Sequence, residues 1–225
     1  MTDRSGGASR PGRTPLLLGV FGLVLIVTAA VGYWRSRPAP SVGAPAVVAL
    51  ASPTASASVA PSPAAPAASA APADEIAPTG LRIAALDLTA TVVPAGVDAK
   101  TGDFAVPPSV DRVGWYRFGP GLTATAGSIV MSGHVDAADQ GKGAFFRLGD
   151  LEPGDPIVLT GPDGATREFE VVARERYRKT KIPLDKYFAR DGAPRLTLIT
   201  CGGPFDRATG HYRDNVVVTA NRSIT

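Results

Sequence analysis

Arg195-Leu196-Thr197-Leu198-Ile199-Thr200-Cys201-Gly202-Gly203-Pro204 is the stretch from which the fold reads outward. Aliphatic and β-branched residues fill positions 196–200, and Gly-Gly-Pro stops the run just after Cys201. A short apolar run bounded by turn residues reads as a strand. Seven further runs of this kind occur, at 81–84, 88–93, 113–118, 128–132, 156–160, 168–176 and 215–220. Between them lie turn sequences such as Glu152-Pro153-Gly154-Asp155 and Gly161-Pro162-Asp163-Gly164. Phe169, Val171 and Ala173 alternate with Glu170, Val172 and Arg174, an approximate period of two. Helical pattern is confined to short pieces at 143–148 and 183–188. About eight short strands with few helices predict an all-β domain, a closed barrel or a sandwich.

Upstream the composition changes twice. Residues 38–73 hold 15 Ala, 8 Pro and 6 Ser and no charge. Such a segment has little to bury against the entropy of ordering, so a disordered, semi-extended linker is expected over 35–77. Before it, residues 15–34 read PLLLGVFGLVLIVTAAVGYW, 20 residues without a charge. A helix of that length spans about 30 Å, the thickness of a bilayer's hydrocarbon core, and Tyr33 and Trp34 would sit at the headgroups. Three Arg precede the run and two follow it, which favours a cytoplasmic N-terminus over 1–14. Val27-Thr28-Ala29 also resembles a signal-peptide cleavage site, but the run exceeds a usual signal h-region. Either reading puts the β-domain, 78–225, outside the cytoplasm. The expected layout is one transmembrane anchor, a linker and one folded domain.

The whole chain of 225 residues carries a formal charge of +3. Residues 1–37 account for +4 and residues 74–225 for −1, so the basic excess flanks the apolar run and nucleic acid recedes as a partner. The Arg174, Arg176, Arg178, Lys179 and Lys181 cluster reads as the solvated side of a strand and its loop. One Cys excludes an intrachain disulfide framework and a Cys-rich zinc site; with two His, no metal is expected.

The lone Cys201 is either a small buried hydrophobe or a nucleophile held by a sheet and open to a cleft. An unpaired thiol in an oxidising compartment favours the second reading. His134, where the run Ile129-Val130-Met131-Ser132 gives way to Gly133, could serve as the thiol's acid and base. His211 reads mostly as a solvated residue of the Gly-rich loop 202–212. Arg213, at the start of the last strand, could bind a carbonyl or steady an oxyanion, or pair with Asp214. Asp136 could orient His134 or cap a turn.

Thr197-Leu198-Ile199-Thr200-Cys201 resembles the T-L-x-T-C strand of sortases. Gly133-His134-Val135-Asp136 upstream and Arg213 twelve residues after the Cys give that family's order of His, Cys and Arg. The chain is most similar to actinobacterial class F sortases, over 78–220. The resemblance implies an eight-stranded sortase-type β-barrel and a cysteine transpeptidase without cofactor. Cys201 would cleave an L-P-x-T-G-type sorting signal after Thr through a thioacyl-enzyme, with His134 as acid and base and Arg213 at the substrate carbonyl or oxyanion. The implied partners are surface proteins with sorting signals, an amine of peptidoglycan or its precursor, and the cytoplasmic membrane. The segment 177–194 corresponds to the region that shapes the family's groove, which makes Ile182 and Leu184, with Thr200, candidate substrate contacts. Alternatives are an L,D-transpeptidase-like enzyme, whose usual Gly precedes the Cys rather than following it, and a non-catalytic wall-associated β-domain.

Overall fold

Ten strands follow one another along the chain: β1 (Gly80–Ile83), β2 (Leu88–Ala95), β3 (Val113–Tyr116), β4 (Ser128–Gly133), β5 (Asp136–Ala137), β6 (Gly141–Lys142), β7 (Pro156–Thr160), β8 (Thr166–Arg178), β9 (Arg195–Asp206) and β10 (His211–Arg222). They are seen in a computed structural model that describes residues 40–51, 75–98 and 104–223. Eight close into a barrel in the order β1-β2-β3-β4-β9-β10-β8-β7, and β5 with β6 forms a separate ribbon. Each expected run lies within or overlaps one barrel strand. The helix expected at 143–148 is a series of turns ending in a 3-10 turn at Leu148–Asp150. Phe145 and Leu148 are fully buried there, so packing rather than helical periodicity places them. The second helical piece is the one-turn α2 (Leu184–Tyr187).

Alternation sorts the barrel's side chains. Leu81, Ile83, Val113, Ile129, Met131, Ile157, Leu159, Phe169, Val171, Leu196, Leu198, Val218 and Ala220 point inward into one core. On the outer face of β8 and β10, Ala173 and Val217 form a second cluster with Tyr187 of α2, and Ile182, Phe188 and Ile199 pack against it.

Part of the segment expected to be disordered packs on that outer face. Helix α1 (Ala44–Ala51) buries Val47 completely in the second cluster. The reason lies in strand lengths. β8 has 13 residues but β7 pairs only with 166–170, so the upper half of β8 would be an open edge. Val42 covers it: the Val42 amide donates to Arg174 O at 2.7 Å, and the Arg174 amide donates to Val42 O at 2.9 Å. The Arg176 amide donates to the Ser41 hydroxyl oxygen at 3.0 Å. Gly43, at φ +78°, carries the chain from bridge to helix; a Cβ there would lie 2.0 Å from Val172 O. At the far end, Leu50 O accepts from the Ala193 amide and from the buried Arg195 guanidinium, which also donates to the carbonyls of Asp191, Ala193 and Lys186. This strap belongs to the compact unit Ala39–Thr225. The expected membrane span and the remaining linker, 52–74, lie outside the described residues. Among the described residues, no helix is long and apolar enough to cross a membrane.

Candidate active site

Two of the barrel's pairings are parallel, β2 with β3 and β4 with β9. Parallel neighbours end at the same rim, which brings together the ends of β4 and β9 from 67 residues apart in sequence. The ladder runs from Ser128↔Arg195 to Ser132↔Ile199. One step further the Thr200 hydroxyl donates to Gly133 O at 2.8 Å, closing the register. His134 and Cys201 are the next residues on each side. β10 is antiparallel to β9, so its start meets the same rim, with Asn215 opposite Cys201 and Asp214 opposite Gly202. Arg213 sits in the irregularity between Tyr212 and Asp214. Strand direction thus brings the residue after β4, a residue of β9 and a residue near the start of β10 to the same end of the barrel.

Cys201 is half-buried and a free thiol. His134 is half-buried, with Nε2 2.8 Å from Pro107 O. A carbonyl can only accept, so Nε2 carries the proton of this bond and Nδ1 is the ring atom left for exchange. The Pro107 segment reaches His134 by crossing β4, where the Ser132 hydroxyl donates to Ala105 O at 3.2 Å. Phe104 on the same segment packs edge-to-face with Tyr116 and Phe188, tying it to the loop after α2.

Arg213 is exposed. Its sequence neighbour Asp214 is buried and engaged elsewhere, 3.0 Å from Arg176 Nε and 3.7 Å from Arg178 Nε. Two members of the basic cluster thus hold an acid at the rim, and Arg174 is buried against Glu152 and the carbonyls of Leu151 and Pro40. Gly203, at φ +74°, allows β9 past Asp214, since a Cβ there would stand 2.3 Å from Asp214 Oδ2.

Other expectations resolve differently. Asp136 accepts from the Tyr212 hydroxyl at 2.5 Å, and the ring partner described for His134 is Pro107 O instead. Thr200 is buried, and its hydroxyl is committed to Gly133 O between the ends of β4 and β9. Ile182 packs against the outer cluster, whereas Leu184 is 52% exposed. The stretch 202–212 is not a loop: β9 and β10 continue past the rim as a two-stranded arm, with turn residues only at 207–210 and His211 exposed. Nothing in the sequence pattern marks Tyr212, which directly precedes Arg213. A cavity of about 200 Å³ lined by Glu75, Pro120, Ala124 and Arg190 includes none of the three rim residues.

Under the segment 177–194, the buried Glu175 carboxylate accepts from the hydroxyls of Tyr177 at 2.8 Å and Tyr187 at 2.7 Å, with Lys186 Nζ 3.3 Å away. Burial raises the Tyr187 hydroxyl far above the usual tyrosine range, and its bonds to Tyr177 and Glu175 act in the same direction. Burial likewise raises Tyr177. Both are proton donors at any physiological pH, and α2 is keyed to the barrel through them. Among the described residues no group of three or more His, Cys, Asp or Glu could hold a metal ion.

Residues 81–223 match the family model for the sortase domain. Among solved structures, the fold is similar to a lid mutant of sortase A from Corynebacterium diphtheriae, at 23% identity and TM-score 0.51, over 68% of this chain and 73% of that one. It is also similar to sortase C-1 from Actinomyces oris, at 20% identity and TM-score 0.51, over 65% of this chain and 73% of that one. Sortase C1 from Streptococcus agalactiae follows at 15% identity and TM-score 0.50, over 65% of this chain and 67% of that one. No curated protein matches the chain by sequence.

Proposed function

The chain belongs to the sortase family, a family of cysteine transpeptidases, and from that premise we propose how its own residues carry the reaction. Cys201 Sγ attacks the carbonyl carbon of Thr in an L-P-x-T-G-type sorting signal, and its proton passes to His134 Nδ1. Collapse of the tetrahedral intermediate breaks the Thr–Gly bond; the leaving amine takes a proton from the imidazolium, and a thioester on Cys201 remains. An amine of peptidoglycan or its precursor then attacks the thioester, gives up a proton to His134 and restores the thiol. The Arg213 guanidinium donates to the oxyanion in both steps. No cofactor enters the scheme.

The observation that carries this reading is the parallel β4·β9 ladder, whose last links lead into His134 on one side and Cys201 on the other, with Arg213 near the start of β10 at the same end of β9. The T-L-x-T-C strand and the order of His, Cys and Arg support a sortase site, and the Ala-, Pro- and Arg-rich composition is compatible with an actinobacterial class F member. The uncharged run 15–34 supports a single-pass anchor in the cytoplasmic membrane, with the barrel outside the cytoplasm. The substrates would then be surface proteins bearing sorting signals.

The test is mass spectrometry of the full chain with a panel of sorting-signal peptides and amines. A thioacyl adduct on Cys201, resolved by amine, is expected, and Cys201→Ala should abolish both adduct and product while the fold survives. Cleavage by Cys201→Ala at the wild-type rate would remove Cys201 as the nucleophile.

A further inference from the structure

Beyond the rim, the arm formed by the ends of β9 and β10 stands without a third strand. Pairing of β4 with β9 stops at Ile199, and pairing of β8 with β10 stops at Asp214, yet β9 and β10 remain paired out to Asp206 and His211. A lone two-stranded ribbon is marginal in water. Its fixed point lies toward the loop that follows His134: the Tyr212 hydroxyl donates to Asp136 Oδ2 at 2.5 Å, and the Tyr212 ring meets Phe205 edge-to-face at 5.1 Å. Tyr212 directly precedes Arg213, in the stretch where the β9·β10 register slips. Asp136 lies two residues after His134 and opens the β5·β6 ribbon. The bond therefore links the residue before Arg213 to the segment just after His134, within electrostatic reach of Cys201.

We propose that Tyr212 and Asp136 are a positioning pair that sets where Arg213 stands relative to His134 and Cys201. Cys201 and His134 have their own support in the β4·β9 ladder and the Thr200–Gly133 bond. Arg213 has none of that: it lies at a slip in the ladder, at the root of a two-stranded arm, and a long side chain inherits any swing of its backbone. A short hydrogen bond to a carboxylate one residue away limits that swing. The Tyr212 hydroxyl is pushed up to about 12, first by the bond to Asp136 and then by burial, so it remains a donor across the working pH range.

This inference rests on the proposed transpeptidation, and the measurements separate the two. In the full chain, Tyr212→Phe should lower kcat for peptide transfer about tenfold, the kinetic equivalent of one hydrogen bond to a carboxylate, with KM little changed. Alkylation of Cys201 by iodoacetamide should proceed at the wild-type rate, because the Cys–His pair is supported separately. Asp136→Ala should match Tyr212→Phe, the double variant should be no worse than either single one, and Asp136→Asn, which keeps an acceptor oxygen, should recover part of the loss. Amide exchange of the arm, residues 202–212, should quicken in Tyr212→Phe. Wild-type turnover and unchanged exchange in Tyr212→Phe would overturn the pairing. So would additive effects in the double variant. Equal loss of alkylation and turnover in Asp136→Ala alone would instead give Asp136 the role of orienting His134. If the wild-type chain transfers no sorting-signal peptide, the functional reading fails, and amide exchange still decides whether the pair holds the arm.

Discussion

The inside of the barrel and the outer face under the strap are both buried, but they are built differently. The inside is filled by aliphatic and aromatic side chains from all eight strands, with Leu196, Leu198, Ile157 and Leu159 wholly removed from water. The outer face mixes Val47, Ala173 and Val217 with a buried carboxylate, two tyrosine hydroxyls and a guanidinium set among backbone carbonyls. The inside is lost only when the barrel opens. The outer face can be lost by undocking a strap or α2 while the barrel stays closed. A mutation inside should therefore weaken the whole domain, whereas one outside can cost no more than the docking energy of the piece it releases.

Leu198→Ala should break the comparison on the inside most severely, costing about 2–5 kcal/mol of global stability as a cavity in a close-packed core. Denaturant unfolding of the folded unit checks it, and a loss below 1 kcal/mol would mean the interior can collapse around the gap. Glu175→Ala comes next. It leaves the buried Tyr187 hydroxyl, the half-buried Tyr177 hydroxyl and Lys186 without the Glu175 carboxylate, at roughly 1–3 kcal/mol. Amide exchange should place the opening in 177–194 rather than in the barrel strands. Val47→Ala removes about two buried carbon groups at ~0.8 kcal/mol each. Gly43→Ala forces a Cβ onto Val172 O, and both substitutions release the same strap. Combined, they should stop at a common ceiling instead of adding, and additivity of the two would show that the strap folds as part of the barrel. The smallest effect is at the rim. The bond to Asp136, and then burial, push the Tyr212 hydroxyl up from an ordinary value of 10 to about 12. Its contribution to stability should be whole below pH 10 and lost between pH 10 and 12. A tyrosinate absorbance step near pH 12 that moves toward 10 in Asp136→Ala would check it.

Legibility in the sequence divides along the same line. The barrel strands were readable because period-two burial is written locally, as in Phe169 and Val171, although Ala173, next in that alternation, turns to the outer face at a register shift between β8 and β10. Cys201 and His134 were readable because each ends such a run. The strap was not: Ala, Pro and Ser around Val47 carry no periodic signal, and what orders them is an edge of β8 more than 120 residues away. The arm was not, since Gly202-Gly203-Pro204 reads as a loop until β10 supplies a partner. The bond between Asp136 and Tyr212 was not, because the two lie 76 residues apart along the chain.

What the sequence determined by itself is therefore the strand set, its inward faces and the three residue types at their ends. Each of these depends on contacts between positions one or two apart. The tertiary structure alone decided that β4 and β9 run parallel, that β8 has an edge to cover, and which side chains meet across the rim. Those outcomes depend on strand order and direction, and residues distant in sequence become neighbours only when the barrel closes.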